Sequence, residues 1–198
     1  MTGLARMKRM PRRAALLVRR LARDIGGFAA VEFAMIVPVM IIMLLGCVEV
    51  SDASTVALRM INISGSVSDM VARCSNINSG DLTDIMRIAD ELLGRYSRSG
   101  LYIEVVAVQA DANKNVTVAW SFDRNHSQPL APGSAYNGLP PGLVAANSTL
   151  IVATSSYKYR SPVAQYIHGA VSLTHTAYNP PRGNLPVIYS AGGTSCTY

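Results

Sequence analysis

Between Phe28 and Val48 the chain runs for 21 residues with one charged side chain, Glu32. A helix that crosses a bilayer needs about 20 such residues. Hydrocarbon offers the backbone no hydrogen bonds, so a span must satisfy its own. The run therefore predicts a membrane-spanning helix. The 198-residue length then allows one anchor and one modest domain. A carboxylate inside an apolar span is costly, which marks Glu32 as a functional position. Pro38 sits in the middle of the span and removes a helical hydrogen bond. It reads either as a kink or unwound turn used in packing, or as a proline that neighbours tolerate.

Charge is distributed unevenly around this run. Residues 1–27 hold eight basic side chains against Asp24, a net of +7, so the remainder carries −1 of the total of +6. All the excess basicity precedes the span, which removes the case for nucleic-acid binding. It predicts instead that the N-terminus stays cytoplasmic and residues 51–198 are exported. Cys47 lies in the span. Cys74 and Cys196 fall in the exported part, where disulfides persist. They allow one intrachain pair, the alternative being two unpaired thiols.

Helical periodicity continues past the span. Val50, Ala53, Val56, Ala57, Met60, Ile61, Ser64, Val67, Met70, Val71 and Cys74 step by three and four, with Ser51, Asp52, Arg59, Ser66 and Asp69 opposite. This predicts one helix from about Phe28 to Cys74, its second half amphipathic and packed on its own domain. Residues 76–80 read as a turn. Asp81 then reads as the N-cap of a second helix, with Leu82, Ile85, Met86, Ala89, Leu92, Leu93 and Tyr96 on its apolar face and Gly100 as its C-terminal stop. From about residue 101 the pattern changes to strands. Residues 101–108 and 116–122 form a hairpin around an Asp111–Asn115 turn, and residues 148–159 and 169–178 give two more strands. The proline- and glycine-rich segment 123–147 is a long loop of the kind that is often functional or mobile. The expected fold is α+β, with a long N-terminal helix, a second helix and a small antiparallel sheet of about four strands.

No catalytic or metal-binding motif stands out. His126, His168 and His175 have no metal-like spacing. No nucleophile elbow, phosphate loop or paired-carboxylate motif is present, so no cofactor and no small-molecule substrate are expected. Tyr157-Lys158-Tyr159-Arg160 alternates aromatic and basic residues. It suits acidic partners or, as a half-exposed strand, tyrosines inward and cations outward.

The string Gly26-Gly-Phe-Ala-Ala-Val-Glu-Phe-Ala-Met-Ile-Val-Pro38, between a basic leader and an apolar span, resembles the head of the TadE-like pseudopilins. In particular, Gly27-x4-Glu32-Phe33 resembles the processing site of prepilins of the Tad (tight adherence, type IVc) pilus. The resemblance is strongest over residues 19–60. It implies a pilin-like α+β minor pseudopilin of the TadE/TadF type, with a cytoplasmic leader at 1–27, a span at 28–50 and an exported domain at 51–198. It implies cleavage between Gly27 and Phe28 by a prepilin peptidase, and an assembly role for Glu32, Phe33 and Pro38. The implied partners are other pilins and pseudopilins, the Tad assembly platform and the inner membrane. Two alternatives remain at this level: an uncleaved envelope scaffold, and a lipoprotein. Leu44-Leu45-Gly46-Cys47 resembles a lipobox, although the segment before it is long for a signal peptide and contains Glu32 and Pro38.

The charge asymmetry generates a direct prediction. A reporter enzyme fused after Tyr198 is active in the periplasm; activity confined to the cytoplasm would refute the orientation.

Overall fold

The computed structural model describes residues 26–160, 171–183 and 185–196. The basic leader up to residue 25 and His168 therefore lie outside the described residues. Two compact units divide between Val50 and Ser51. Helix α1, Gly26–Ala72, belongs to both. The second unit continues with β1 (Asn76–Ile77), α2 (Ser79–Leu92), a 3-10 turn at Arg98–Gly100, β2 (Leu101–Ala110), β3 (Val116–Asp123), β4 (Thr149–Tyr159), β5 (Val171–Asn179) and β6 (Ile188–Tyr189). This is the expected α+β arrangement.

The main sheet has the order β3-β2-β4-β5 and is antiparallel throughout. Its hairpin turn is set by Asp111. The carboxylate accepts the Asn113 and Asn115 backbone N–H groups, each at 2.8 Å, while Lys114 takes a left-handed φ of 63°. A bulge between Ala107 and Val108 leaves Ala119 as the extra residue of β3.

One face of the sheet carries the main core. Val56, Met60, Ile63, Val67 and Val71 of α1 and Leu82, Ile85, Met86 and Ala89 of α2 cluster with Ile103, Val105, Trp120, Phe122, Ile151 and Tyr157. The α1 face is rotated from the one expected. Ile63 is fully buried, whereas Ile61 is 42% exposed and Val50 67% exposed. Ser64, expected on the stripe, is buried, and Ser68 is buried beside it. Ser64 donates to the Met60 carbonyl at 2.9 Å, and Ser68 lies 2.7 Å from the Asn179 side chain on β5. Their hydroxyls find partners inside, so these positions are as buried as the apolar ones.

The termini of α2 also differ from expectation. Its N-cap is Asn78, not Asp81. The Asn78 side chain accepts the Asp81 N–H at 2.9 Å, and the Asp81 carboxylate accepts the Asn78 N–H at 3.1 Å, completing a capping box. At the other end the stop is Gly94, not Gly100. Gly94 has a φ of +67°, and an added Cβ would sit 2.6 Å from Arg59 Nη1. That guanidinium donates to the Leu92 carbonyl at 2.9 Å, so a side chain of α1 closes α2. Leu92, expected on the buried face, is 38% exposed.

The opposite sheet face is covered by the long loop. Leu130, Tyr136, Leu139 and Val144 pack on Val106, Val108, Val118, Leu150 and Val152. The loop also bonds along β3, with Val118 N–H donating to Ser134 and Tyr136 N–H donating to Val116, each at 2.9 Å. Glu104 lies on this face, directly opposite Asp123 on β3. Burial raises its carboxyl above the ordinary glutamate value, and Asp123 adds to the effect, while the Tyr102 hydroxyl opposes it. Burial, then Glu104, pushes the Tyr102 phenol up to about 12.

The C-terminal tail straps the first face together. Arg182 N–H donates to the Ala72 carbonyl at 2.9 Å, closing α1, and the Arg182 guanidinium pairs with Asp69 at 2.7 Å. Arg73 first, then Arg182, holds the Asp69 carboxyl below its ordinary range. Buried Trp120 donates its Nε1–H to the Val187 carbonyl at 2.8 Å. β6 pairs parallel with β1, a two-residue ladder that no sequence pattern announced. The structure joins Cys74 to Cys196, with Cα atoms 5.1 Å apart across a sequence separation of 122.

Two predictions follow from this packing. Denatured, unreduced protein exposes one alkylatable thiol, Cys47, and reduction exposes all three; three reactive thiols without reductant would exclude the bridge. On the chain-entropy account, replacing Cys74 and Cys196 by alanine removes about 4–5 kcal/mol of domain stability. For Glu104, the folded form binds its proton more tightly than the unfolded form. Its charge therefore costs stability at neutral pH, and the cost disappears as pH falls below the ordinary glutamate value. Glu104→Gln raises stability at pH 7 by a fraction of a kcal/mol relative to wild type, and the gain vanishes in acid. Trp120 fluorescence of the detergent-solubilised full chain during denaturation reads it, and a gain independent of pH would contradict the assignment.

Candidate functional site

The residues singled out in the head all lie on one helix. Gly27, Phe28, Glu32, Phe33 and Pro38 occupy the first turns of α1. None of the 18-residue apolar window that defines the candidate span is buried against the chain. Phe28 is 70% exposed and Phe33 67% exposed, and Glu32 is exposed as well. Phe28 and Glu32 are four residues apart, so they lie on one side of the helix with about 6 Å of axial rise between them.

Among the described residues nothing demands glycine at position 27. An added Cβ meets no atom within 4 Å, and no left-handed φ is present there. Alanine would favour a helix interior by about 1 kcal/mol. The helix passes through Pro38 without interruption. The missing N–H leaves the Ala34 carbonyl without its usual helical donor, a polar group on a surface that is otherwise aliphatic.

The other candidate positions resolve into structural roles. Among the described residues no group of three His, Cys, Asp or Glu side chains is placed to hold a metal. His126 has a φ of 64° and lies 3.3 Å from the Thr83 hydroxyl. His175 Nδ1 lies 2.8 Å from Ser64 Oγ. That pair has the reach of a nucleophile and its base. Ser64 is fully buried, however, and its hydroxyl also bonds the Met60 carbonyl. Among the described residues no carboxylate orients the ring, so the pair tethers β5 to α1. Sequence spacing gave no hint of it, because 111 positions separate the two residues. Cys74 and Cys196 are brought together, as described above, in the second unit.

The carboxylate, the basic-to-apolar switch and the uncovered aliphatic surface thus concentrate in residues 27–48. Residues 27–62 match the family model described as TadE-like protein. No curated protein and no solved structure matches the chain. The matched segment contains Gly27, Phe28, Glu32, Phe33 and Pro38. Among the described residues one helix, near the N-terminus, is long and apolar enough to cross a membrane, and over residues 27–62 the chain is similar to the TadE-like proteins.

Proposed function

We propose that this protein is a minor pseudopilin that takes part in assembly of Tad (type IVc) pili and so in surface attachment. The observation that carries the reading is the coincidence of the TadE-like match at 27–62 with an uncovered apolar segment, residues 28–48 of α1, that bears one carboxylate. In this reading the protein sits in the bacterial inner membrane, with its N-terminus cytoplasmic and residues 51–198 in the periplasm. A prepilin peptidase cuts between Gly27 and Phe28. Glycine before the scissile bond lets the enzyme approach the backbone closely, which suits a glycine whose added Cβ would meet none of the described residues.

Cleavage creates an α-amine at Phe28, one helical turn from Glu32. Both charges then lie at the membrane edge, in poor solvent. Pairing offsets part of the cost of burying them. The partner amine is supplied by the same subunit or by a neighbouring pilin as the subunit is drawn from the membrane by the assembly platform. Phe33 and Pro38 lie on the same uncovered surface and pack against the neighbour. The protein is not an enzyme in this scheme.

Glu32→Gln keeps the shape and removes the charge. The variant inserts and is cut after Gly27 as wild type is, but piliation is lost. Substitution of Gly27 by a bulky residue instead blocks cutting. Normal piliation by Glu32→Gln at normal protein level would leave Glu32 a side chain that merely reaches the headgroups, and the assembly role would fall.

A further inference from the structure

The Tyr157-Lys158-Tyr159-Arg160 run has a role in the fold that leaves its cations unused. Both tyrosines are buried, each 6% exposed, while Lys158 and Arg160 face solvent. The two cations line a depression with Ser97, Ser99 and Gly100. Tyr157 is held there by an edge-on contact with Tyr96, 6.4 Å between ring centroids. Arg59 and Arg95 lie 5.5 and 5.2 Å from the Tyr96 ring centroid. Arg95 also pairs with Asp52 at 2.7 Å, and Arg98 with Glu91 at 2.6 Å. Contact by contact, five cations are gathered with two carboxylates. Among the described residues neither Lys158 nor Arg160 has an ion-pair partner.

This concentration is not typical of the domain. Residues 51–198 hold ten basic and nine acidic side chains, so outside this group the domain has five basic and seven acidic ones. The group carries a net +3 and the rest −2. Glu49, just before the domain, lowers the local excess to +2. The group also includes Asp52, four residues after the end of the apolar run at Val48. Chain connectivity alone keeps Asp52 within about 14 Å of that point.

We propose that this end of the domain is a basic collar that rests on the anionic phospholipid headgroups of the membrane holding the span. The inference rests on the reading of residues 28–48 as a membrane anchor. Lysine and arginine on flexible stems match phosphate oxygens, and basic side chains beside a span are attracted to anionic lipid within a Debye length. Arg59 and Arg95 are engaged in closing α2 and holding Tyr96. Lys158, near the end of β4, and Arg160, just after the strand ends, make the lipid contact.

The test uses the full chain with Cys47→Ser and Ser99→Cys, reconstituted in vesicles and labelled from outside with a membrane-impermeant, polarity-sensitive thiol dye. One set of vesicles is phosphatidylcholine; the other contains about 30% phosphatidylglycerol. Quenching by acrylamide, which is uncharged, reads the exposure of the label. Quenching falls about twofold in the anionic vesicles relative to the neutral ones. The difference disappears in 1 M salt, where the Debye length is about 3 Å. It is lost in Lys158→Glu/Arg160→Glu and reduced in Lys158→Gln/Arg160→Gln. Equal quenching in both vesicles, or anionic shielding that survives charge reversal, would overturn the collar. Flotation with neutral vesicles reports the anchor separately. Flotation with equal quenching removes the collar alone; failure to float removes the anchor and the collar with it.

Discussion

An apolar helical segment that buries nothing against its own chain has to be covered by something else. Over the 21 residues from Phe28 to Val48 the side chains are aliphatic or aromatic, apart from Glu32 and a few small residues. Exposed to water, that surface would cost about 25 cal/mol for each Å² left uncovered. Bilayer and neighbouring helices are the environments that remove the cost. Glu32, and the Ala34 carbonyl to which Pro38 cannot donate, are the polar groups that such surroundings have to accommodate.

The second unit solves a different problem. Its half of α1 must be held to the sheet although two of the inward positions are serines. The solution is polar as well as apolar: Ser64 meets His175, Ser68 meets Asn179, and Ser155 of β4 donates to the Met60 carbonyl at 2.8 Å. The helix ends are closed by residues remote in sequence, Arg182 at Ala72 and Arg59 at Leu92. The tail then returns to α2, where the Cys196 N–H donates to Asp81 at 2.8 Å beside the bridge to Cys74. Releasing the tail would therefore remove the closure of α1, the added donor to Asp81 and the Trp120 contact together.

Much of this was legible in the residues because it is local. The span follows from hydropathy, the hairpin from Asp111 and branched residues on either side, the order of helices before strands from a change of period. The errors have a common cause. Ile61 and Ile63 are equally apolar, and the choice between them is made by packing against residues remote in sequence, where Ile63 joins the core. Asp81 and Asn78 are both good caps, and the reciprocal box uses them together. Gly94 is required by Arg59, a side chain of another helix. The 123–147 segment has loop composition, yet four apolar residues spaced along it cover a sheet face. The β1–β6 ladder, two residues on each side, carries too little sequence to show a period. In the head, Glu32 is conspicuous in the sequence without any neighbours, because it is the one charge in an apolar run.

The central claim is that the chain is stored in the membrane by residues 28–48 and trimmed before it is used. Intact-mass measurement of the protein extracted from membranes tests this most directly. The account predicts a chain that begins at Phe28, lighter by residues 1–27, apart from any modification of the new amine. A mass that includes Met1, or a lipid-modified chain beginning at Cys47, would contradict it.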